Sequence, residues 1–428
     1  MSSSPPTIAA DRLAAVSTGP TTRPSPFAAL AGANLAAQAA EQISLAAVPI
    51  VAVLALAAGP REIGLLAAAQ SLPFLLLAMP FGLWADRASR RRLMVWAEVL
   101  RVLSLLALLA ASVAEQLSLP LLAVLGFVGA AGTVAFSVAA PALVPALVAR
   151  EDLARANGVI ELARSLAFAA GPALAGALVG AAGAGSAFVL AAMLSFAAVG
   201  LLWRLPEDAP QRAPARHPLA ELREGGRFVW QHRLLRPILL TAVAWNIAWF
   251  VLQAAYVPHA LTHLGLGAGG VGVTLALYGI GMVAGALAAA RLLRRLAFGH
   301  AICLGPLVSV AAAATMAATL LWPTPVLAAL SFFLFGAGPL VWTVSSTTLR
   351  QTVTPPAMLG RVGAIFLTVN AGARPLGAAL GAAVAAAVGP AQAAAWCLLL
   401  ALAGFVLQAV VITSSAVRPL RQLPAPAH

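Results

Sequence analysis

Gly82-Leu-Trp-Ala-Asp86-Arg87-Ala-Ser-Arg90-Arg91-Arg92-Leu93 separates two apolar runs, each long enough to cross a bilayer as a helix. A connection this short folds two membrane spans into an antiparallel hairpin. Its four arginines assign a side, because short positive loops stay cytoplasmic. Gly82 lets a neighbouring helix come close, and Asp86 suits a cap or salt bridge at a helix end. An ordinary cytoplasmic loop would carry the same charge; the spacing of Gly82, Asp86, Arg87, Arg90 and Arg91 is what goes beyond it.

Composition extends this reading to the whole chain. With 61% hydrophobic and 9% charged residues over 428 positions, the sequence describes an all-α polytopic membrane protein and excludes a soluble globule. The net charge of +13 comes from basic residues that are all arginine. All but Arg61, Arg101, Arg164 and Arg374 fall in segments assigned to the cytoplasmic side, so the charge orients the chain and implies no nucleic-acid partner. No phosphate-binding glycine loop ending in lysine occurs, which argues against ATP hydrolysis. No catalytic constellation appears either, so an enzyme is not expected. Cys303 and Cys397 lie apart in apolar runs and read as core residues. His259 and His263 lack a third ligand, so neither a metal nor a cofactor is predicted.

Apolar segments recur near 28–57, 63–84, 93–113, 119–140, 158–180 and 186–203, then near 237–258, 269–290, 301–322, 326–347, 362–388 and 391–412. Twelve spans put both termini on one side, here the cytoplasm, in a cell membrane. The expected organisation is a disordered tail (1–26), a six-helix bundle (27–203), a cytoplasmic linker (204–236), a second six-helix bundle (237–412) and a short tail (413–428). The linker opens with Pro206, Pro210, Pro214 and Pro218. It turns amphipathic from Leu219 to Arg236, offering Leu222, Phe228, Val229 and Leu235 to the membrane surface. Leu153-Ala-Arg155 and Leu359-Gly-Arg361 follow the fourth and tenth spans, as diverged halves of an internal repeat would place them.

The hairpin loop resembles the signature G-x-L-A-D-R-x-G-R-R-x-x-L between the second and third spans of the major facilitator superfamily. The match covers Gly82, Ala85, Asp86, Arg87, Arg90, Arg91 and Leu93; Trp84 and Ser89 replace the usual Leu and Gly. Glu224-Gly-Gly-Arg-Phe228-Val-Trp230-Gln-His232 is similar to the segment opening the second half in the branch containing bacterial enterobactin and macrolide exporters. Glu98 and Arg101 resemble that branch's D-x-x-R, with Glu for Asp. The resemblance implies two pseudo-symmetric six-helix bundles, alternating access, and a cavity lined by spans one, four, seven and ten. It also implies function as a monomer. Gly171-Pro172 with Gly176 resembles, with fewer glycines, the fifth-span signature associated with antiporters; tight packing alone would also call for it.

The candidate transport residues lie mostly on two spans. Asn34, Gln38 and Glu41 recur at helical spacing on one face. A mid-membrane carboxylate needs water or a cation, so Glu41 reads either as a proton-exchanging group or as a structural acid held by an arginine. Asn246, Trp249, Gln253 and Tyr256 suit an amphipathic organic ligand, and equally suit helix-to-helix bonding. Trp342, with Thr343 and Ser346, adds to the candidate cavity. No Asp or Glu follows Glu224, so Arg374, beside Asn370, has three possible roles. It pairs across the interface with Glu41, faces an anionic substrate group, or snorkels to the cytoplasmic surface. Glu98 and Arg101, one turn apart, pair on one face and are expected to join Asp86 in a gating or structural network, in preference to touching substrate. Asp86 and the loop arginines are expected to control the cytoplasmic gate, and Glu161 and Arg164 invite the same reading as Glu98 and Arg101.

The function expected is proton-coupled efflux of a small amphipathic compound such as a drug, as in multidrug resistance, a siderophore or a metabolite. The partners are that compound, protons and membrane lipid. The alternatives are a lysophospholipid-type or uncoupled facilitator, and a non-transporting receptor or assembly partner.

Overall fold

A computed structural model describes residues 25–149, 152–207, 218–296, 298–355 and 358–414. The tail residues before Ser25 and after Ser414, and the linker positions Pro210 and Pro214, lie outside the described residues. The first half holds α1 (Pro26–Leu56), α2 (Pro60–Leu76), α3 (Ala78–Arg87), α4 (Arg90–Val113), α5 (Leu119–Leu147), α6 (Leu153–Ala182) and α7 (Ala184–Leu202). α8 (Pro218–Gln231) follows, then α9 (Leu235–Thr262), α10 (Ala268–Arg295), α11 (Phe298–Ala318), α12 (Pro325–Val353), α13 (Leu359–Val388) and α14 (Pro390–Thr413).

Among the described residues eleven helices are long and apolar enough to cross a membrane. The second span, expected as one helix over 63–84, is instead divided into α2 and α3 at Leu77. Pro80 explains the division: it has no N–H for the carbonyl of Leu76, and its ring crowds that carbonyl. Together α2 and α3 complete a twelve-span bundle. Because successive spans alternate in direction, α1 begins and α14 ends on one side of the membrane, called here the terminal side; the other is the far side.

Packing repeats between the halves. α1 lies against α6 and α7 as α9 lies against α13 and α14, and α4 against α5 and α7 as α11 against α12 and α14. The seam between halves is likewise doubled, α6 on α10 and α2 on α13. Lipid gives helices no hydrophobic reason to associate, so close backbone approach must supply the attraction. The seam glycines provide it on the far side. A methyl group on Gly279 would overlap the backbone of Phe168 and Ala169, and one on Gly64 would lie 2.9 Å from the Ala378 carbonyl oxygen.

The core follows the same asymmetry. On the far side one apolar cluster joins both halves, with Ile50, Leu108 and Phe188 continuous with Val251, Phe332 and Phe405. On the terminal side the core is two separate clusters. One is built on Leu30, Met94 and Leu143 of the first half, the other on Ile238, Ile302 and Val362 of the second. Gly158 is eighteen residues before Gly176 on α6, five turns and therefore the same face. A methyl at Gly176 would overlap α10, whereas one at Gly158 would meet nothing within 4 Å. The halves are joined on the far side and parted on the terminal side.

α8 is held against the base of the second half. Gly225 lies against the Arg361 backbone, and Glu224 accepts a 2.7 Å bond from the Arg361 guanidinium. Val229 and Leu235, expected at the membrane surface, are both fully buried in the second half's terminal-side core. Leu235 opens α9. The Leu222 side chain lies outside the described ones.

Candidate functional site

Where the halves part, the bundle encloses two chambers. The terminal-side chamber, about 530 Å³, is lined by the second half, with Arg164 the first-half residue at its wall. Trp342, Thr343, Ser346 and Arg350 reach it from α12, and Asn370 from α13. The second chamber, about 450 Å³, extends between the halves toward the far side. Glu41, Gln42, Gln70, Phe74, Arg101 and Thr133 line its first-half wall, with Trp249 and Gln253 opposite. Arg164, Trp245, Asn246, Tyr278 and Arg374 border both chambers and mark their junction.

Glu41 is half-buried and, among the described residues, makes no ion pair, although Arg101, Arg374 and Arg164 all act on it electrostatically. The carboxylate therefore faces the chamber without a fixed partner. Arg374 is also without an ion pair among the described residues. Its guanidinium lies 5.0 Å from the Phe74 ring across the seam, and its Nε is buried with no hydrogen-bond partner. It does not snorkel to the surface.

The remaining candidates separate by neighbourhood. Asn34 is buried away from both chambers and donates a 3.5 Å bond to the Ile160 carbonyl, tying α1 to α6. Gln38 is half-buried and lines neither chamber. Tyr256 is fully buried, bonded to Thr274 and set edge-on to Phe332. Asn246 donates 2.9 Å to Ala242, one turn back, and keeps its place at the junction. Trp249 stacks on Trp245 at 5.3 Å, and Trp245 donates to Ser309 at 3.2 Å, so an ordered aromatic wall faces the chambers.

Glu98 and Arg101 pair at 2.6 Å, 0% and 4% exposed. Arg101 also donates to the Ala37 carbonyl and to Thr133, at 3.1 Å and 2.6 Å, binding α1, α4 and α5 together inside the first half. The Ser195 hydroxyl stands beside the carboxylate without completing a bond to its second oxygen. In the loop, Ser89 caps α4, Arg91 donates 3.0 Å to the Trp203 carbonyl, and Arg92 pairs with Glu207. Gly82 belongs to α3, but a methyl group there would meet nothing within 4 Å, so it does not admit the close neighbour expected of it. Arg90 opens α4, and the side chains of Asp86 and Arg87 lie outside the described ones. In the fifth span the glycines divide. Gly171 packs against Gln42 of α1, and Gly176 against α10 across the seam, with Pro172 inside the helix. His259 bonds Thr319 at 2.8 Å.

Sequence reading did not place Arg164, Trp245, Tyr278 or Arg350 in the cavity. For Arg350 a signal existed: it follows Trp342 and Ser346 at four-residue steps along α12.

A family model described as "Major Facilitator Superfamily" matches residues 30–378. The enterobactin exporter EntS of Shigella flexneri is 28% identical over 303 residues, covering 70% of this chain and 70% of that protein. A bacterial homologue of the iron transporter ferroportin in its inward-facing state superposes with a TM-score of 0.71, at 16% identity over 92% of this chain and 99% of that one. The ferroportin homologue in its outward-facing state with soaked iron gives 0.59, at 16% identity over 90% and 98%.

Proposed function

This chain belongs to the major facilitator superfamily, and from that premise we propose that it exports a small amphipathic organic compound in exchange for protons. The observation that carries the reading is Glu41, a chamber-lining carboxylate with no ion pair among the described residues. Such a group is free to change charge as the surroundings change. Proton loading removes the cost of a membrane-buried charge, and reopening to water restores it. Because no acid follows Glu224, carboxylate coupling belongs to the first half.

The terminal side is the cytoplasm in this reading, since Arg90, Arg91 and Arg92 lie there. The parted terminal side then accepts cargo from the cell. The closer backbone match to an inward-facing transporter than to its outward-facing form supports that state. Rocking the halves about the seam would carry the junction residues from one opening to the other. The exporter named among the relatives supports the direction.

The test is dye and drug uptake into inside-out vesicles, with and without an imposed proton gradient, comparing wild type with Glu41→Gln at equal membrane abundance. Gradient-driven uptake should be present in wild type and lost in the variant. Equal gradient-driven uptake in both would remove Glu41 from the coupling path; flux indifferent to the gradient would leave an uncoupled facilitator.

A further inference from the structure

The terminal-side chamber has an unusual charge pattern. Its walls carry Arg164, Arg350 and Arg374, and no carboxylate lines it among the described residues. Glu161 compensates Arg164 at 2.5 Å. Arg350 and Arg374 make no ion pair among the described residues, and their own half of the chain contains no acid to make one. Each rests on a ring instead, Arg350 4.8 Å from Phe366 and Arg374 5.0 Å from Phe74. Rings hold a guanidinium in position without neutralising it. Three polar atoms at the chamber wall are buried without a hydrogen-bond partner: the donors Arg374 Nε and Trp342 Nε1, and the acceptor Asn370 Oδ1.

Arg350 alone could be read as charge at the end of α12, where arginine suits both the helix dipole and the membrane side. Arg374 cannot. It lies about four turns into α13, with its Nε out of reach of water. Arg374 is half-buried, and a cation this deep with a buried, open donor is costly unless something binds it. The something must be able to enter and leave.

Resting on the export reading above, we propose that the cargo is an amphipathic organic anion, with a carboxylate- or sulfonate-type head. Arg350 draws the head into the terminal-side chamber and Arg374 holds it at the junction, where Trp245 and Tyr278 receive the apolar body. A planar guanidinium binds such a head through paired N–H donors.

The experiment uses the full chain in nanodiscs of zwitterionic lipid, with empty nanodiscs subtracted, and reads dye anisotropy. The probes share one ring system: fluorescein, an anion at pH 8, and rhodamine 6G, a cation. Fluorescein should bind at least tenfold more tightly than rhodamine 6G. Arg374→Gln and Arg350→Gln should each weaken it roughly tenfold or more. Arg374→Lys, which keeps charge but loses the paired donors, should fall between, and Arg61→Gln, outside both chambers, should change nothing. Rhodamine 6G binding as tightly as fluorescein, no fluorescein binding, or fluorescein binding unchanged in both glutamine variants would overturn the proposal. Failure of the export reading looks different. Arginine-dependent anion binding without gradient-driven flux would leave this site standing and remove proton-coupled export; gradient-driven flux of rhodamine 6G alone would do the reverse.

Discussion

At the scale of single residues, spacing along a helix revealed which side chains share a face, but not what that face meets. Asn34, Gln38 and Glu41 form one stripe on α1, yet Asn34 meets α6, Gln38 lines neither chamber, and Glu41 reaches the cavity. A long helix keeps its face while its neighbours diverge along its length, so one stripe can be packing at one end and chamber wall at the other. Glu98 and Arg101 were legible as a pair from their three-residue spacing. Their bonds to Ala37 and Thr133 come from other helices, which local spacing does not reveal. Those bonds make the pair a brace of the first half. Arg101→Ala would leave the fully buried Glu98 without its cation, a loss of about 3–5 kcal/mol when a buried pair is broken on one side. The thermal midpoint of the purified variant should fall sharply, while Glu98→Gln combined with Arg101→Met should recover much of it. An Arg101→Ala midpoint equal to wild type would show that the pair does not brace the half.

At the scale of elements, composition located the spans, while their joints depended on individual backbone groups. The break between α2 and α3 was readable in Pro80. The joint between α8 and α9 was less so, since His232 acts there through its unprotonated ring nitrogen. Nδ1 accepts from the backbone N–H of Leu234 and Leu235, at 3.2 and 3.3 Å, capping the start of α9. Partial burial lowers the ring's pKa from its ordinary 6.5, so the folded joint favours the neutral form. A group whose folded pKa is depressed contributes its stability above the ordinary value and loses it as pH falls toward the folded one. Amide exchange at residues 228–236 should therefore quicken as pH drops from 7.5 to 5.5, once corrected for the intrinsic rate. His232→Ala should exchange faster at the upper pH and show little further change. A corrected rate independent of pH in wild type would rule out the cap.

For the whole molecule, the twelve-span bundle was legible because lipid demands long apolar helices and leaves them few alternatives. The state of the bundle was not, and α6 shows why. Gly158 and Gly176 are on one face five turns apart, so the sequence offers a close-packing site at each end of the seam without saying which is in use. The structure uses the far-side site: Gly176 touches α10, and Gly158 faces open space. Gly279 is the tightest test of that choice, because an added methyl would overlap the Phe168 and Ala169 backbone. Overpacking of this kind costs about 1–3 kcal/mol, and about 2 kcal/mol moves a two-state ratio roughly thirtyfold. Gly279→Ala should therefore spring the far-side seam and populate the opposite opening. Gly158→Ala costs nothing in the present state; if rocking closes the terminal side by bringing that face onto its neighbour, it should trap the molecule as it is. Spin labels on Arg61→Cys and Gln392→Cys report the far side, and labels on Arg204→Cys and Arg236→Cys the terminal side, with Cys303 and Cys397 replaced by serine. In Gly279→Ala the far-side distance should lengthen while the terminal-side distance shortens; in Gly158→Ala the present pair of distances should persist under a proton gradient that redistributes wild type. If both variants gave wild-type distributions, close glycine packing would not govern which side is open. A shift in Gly279→Ala with the present distances held in Gly158→Ala would identify the seam as the element that alternates.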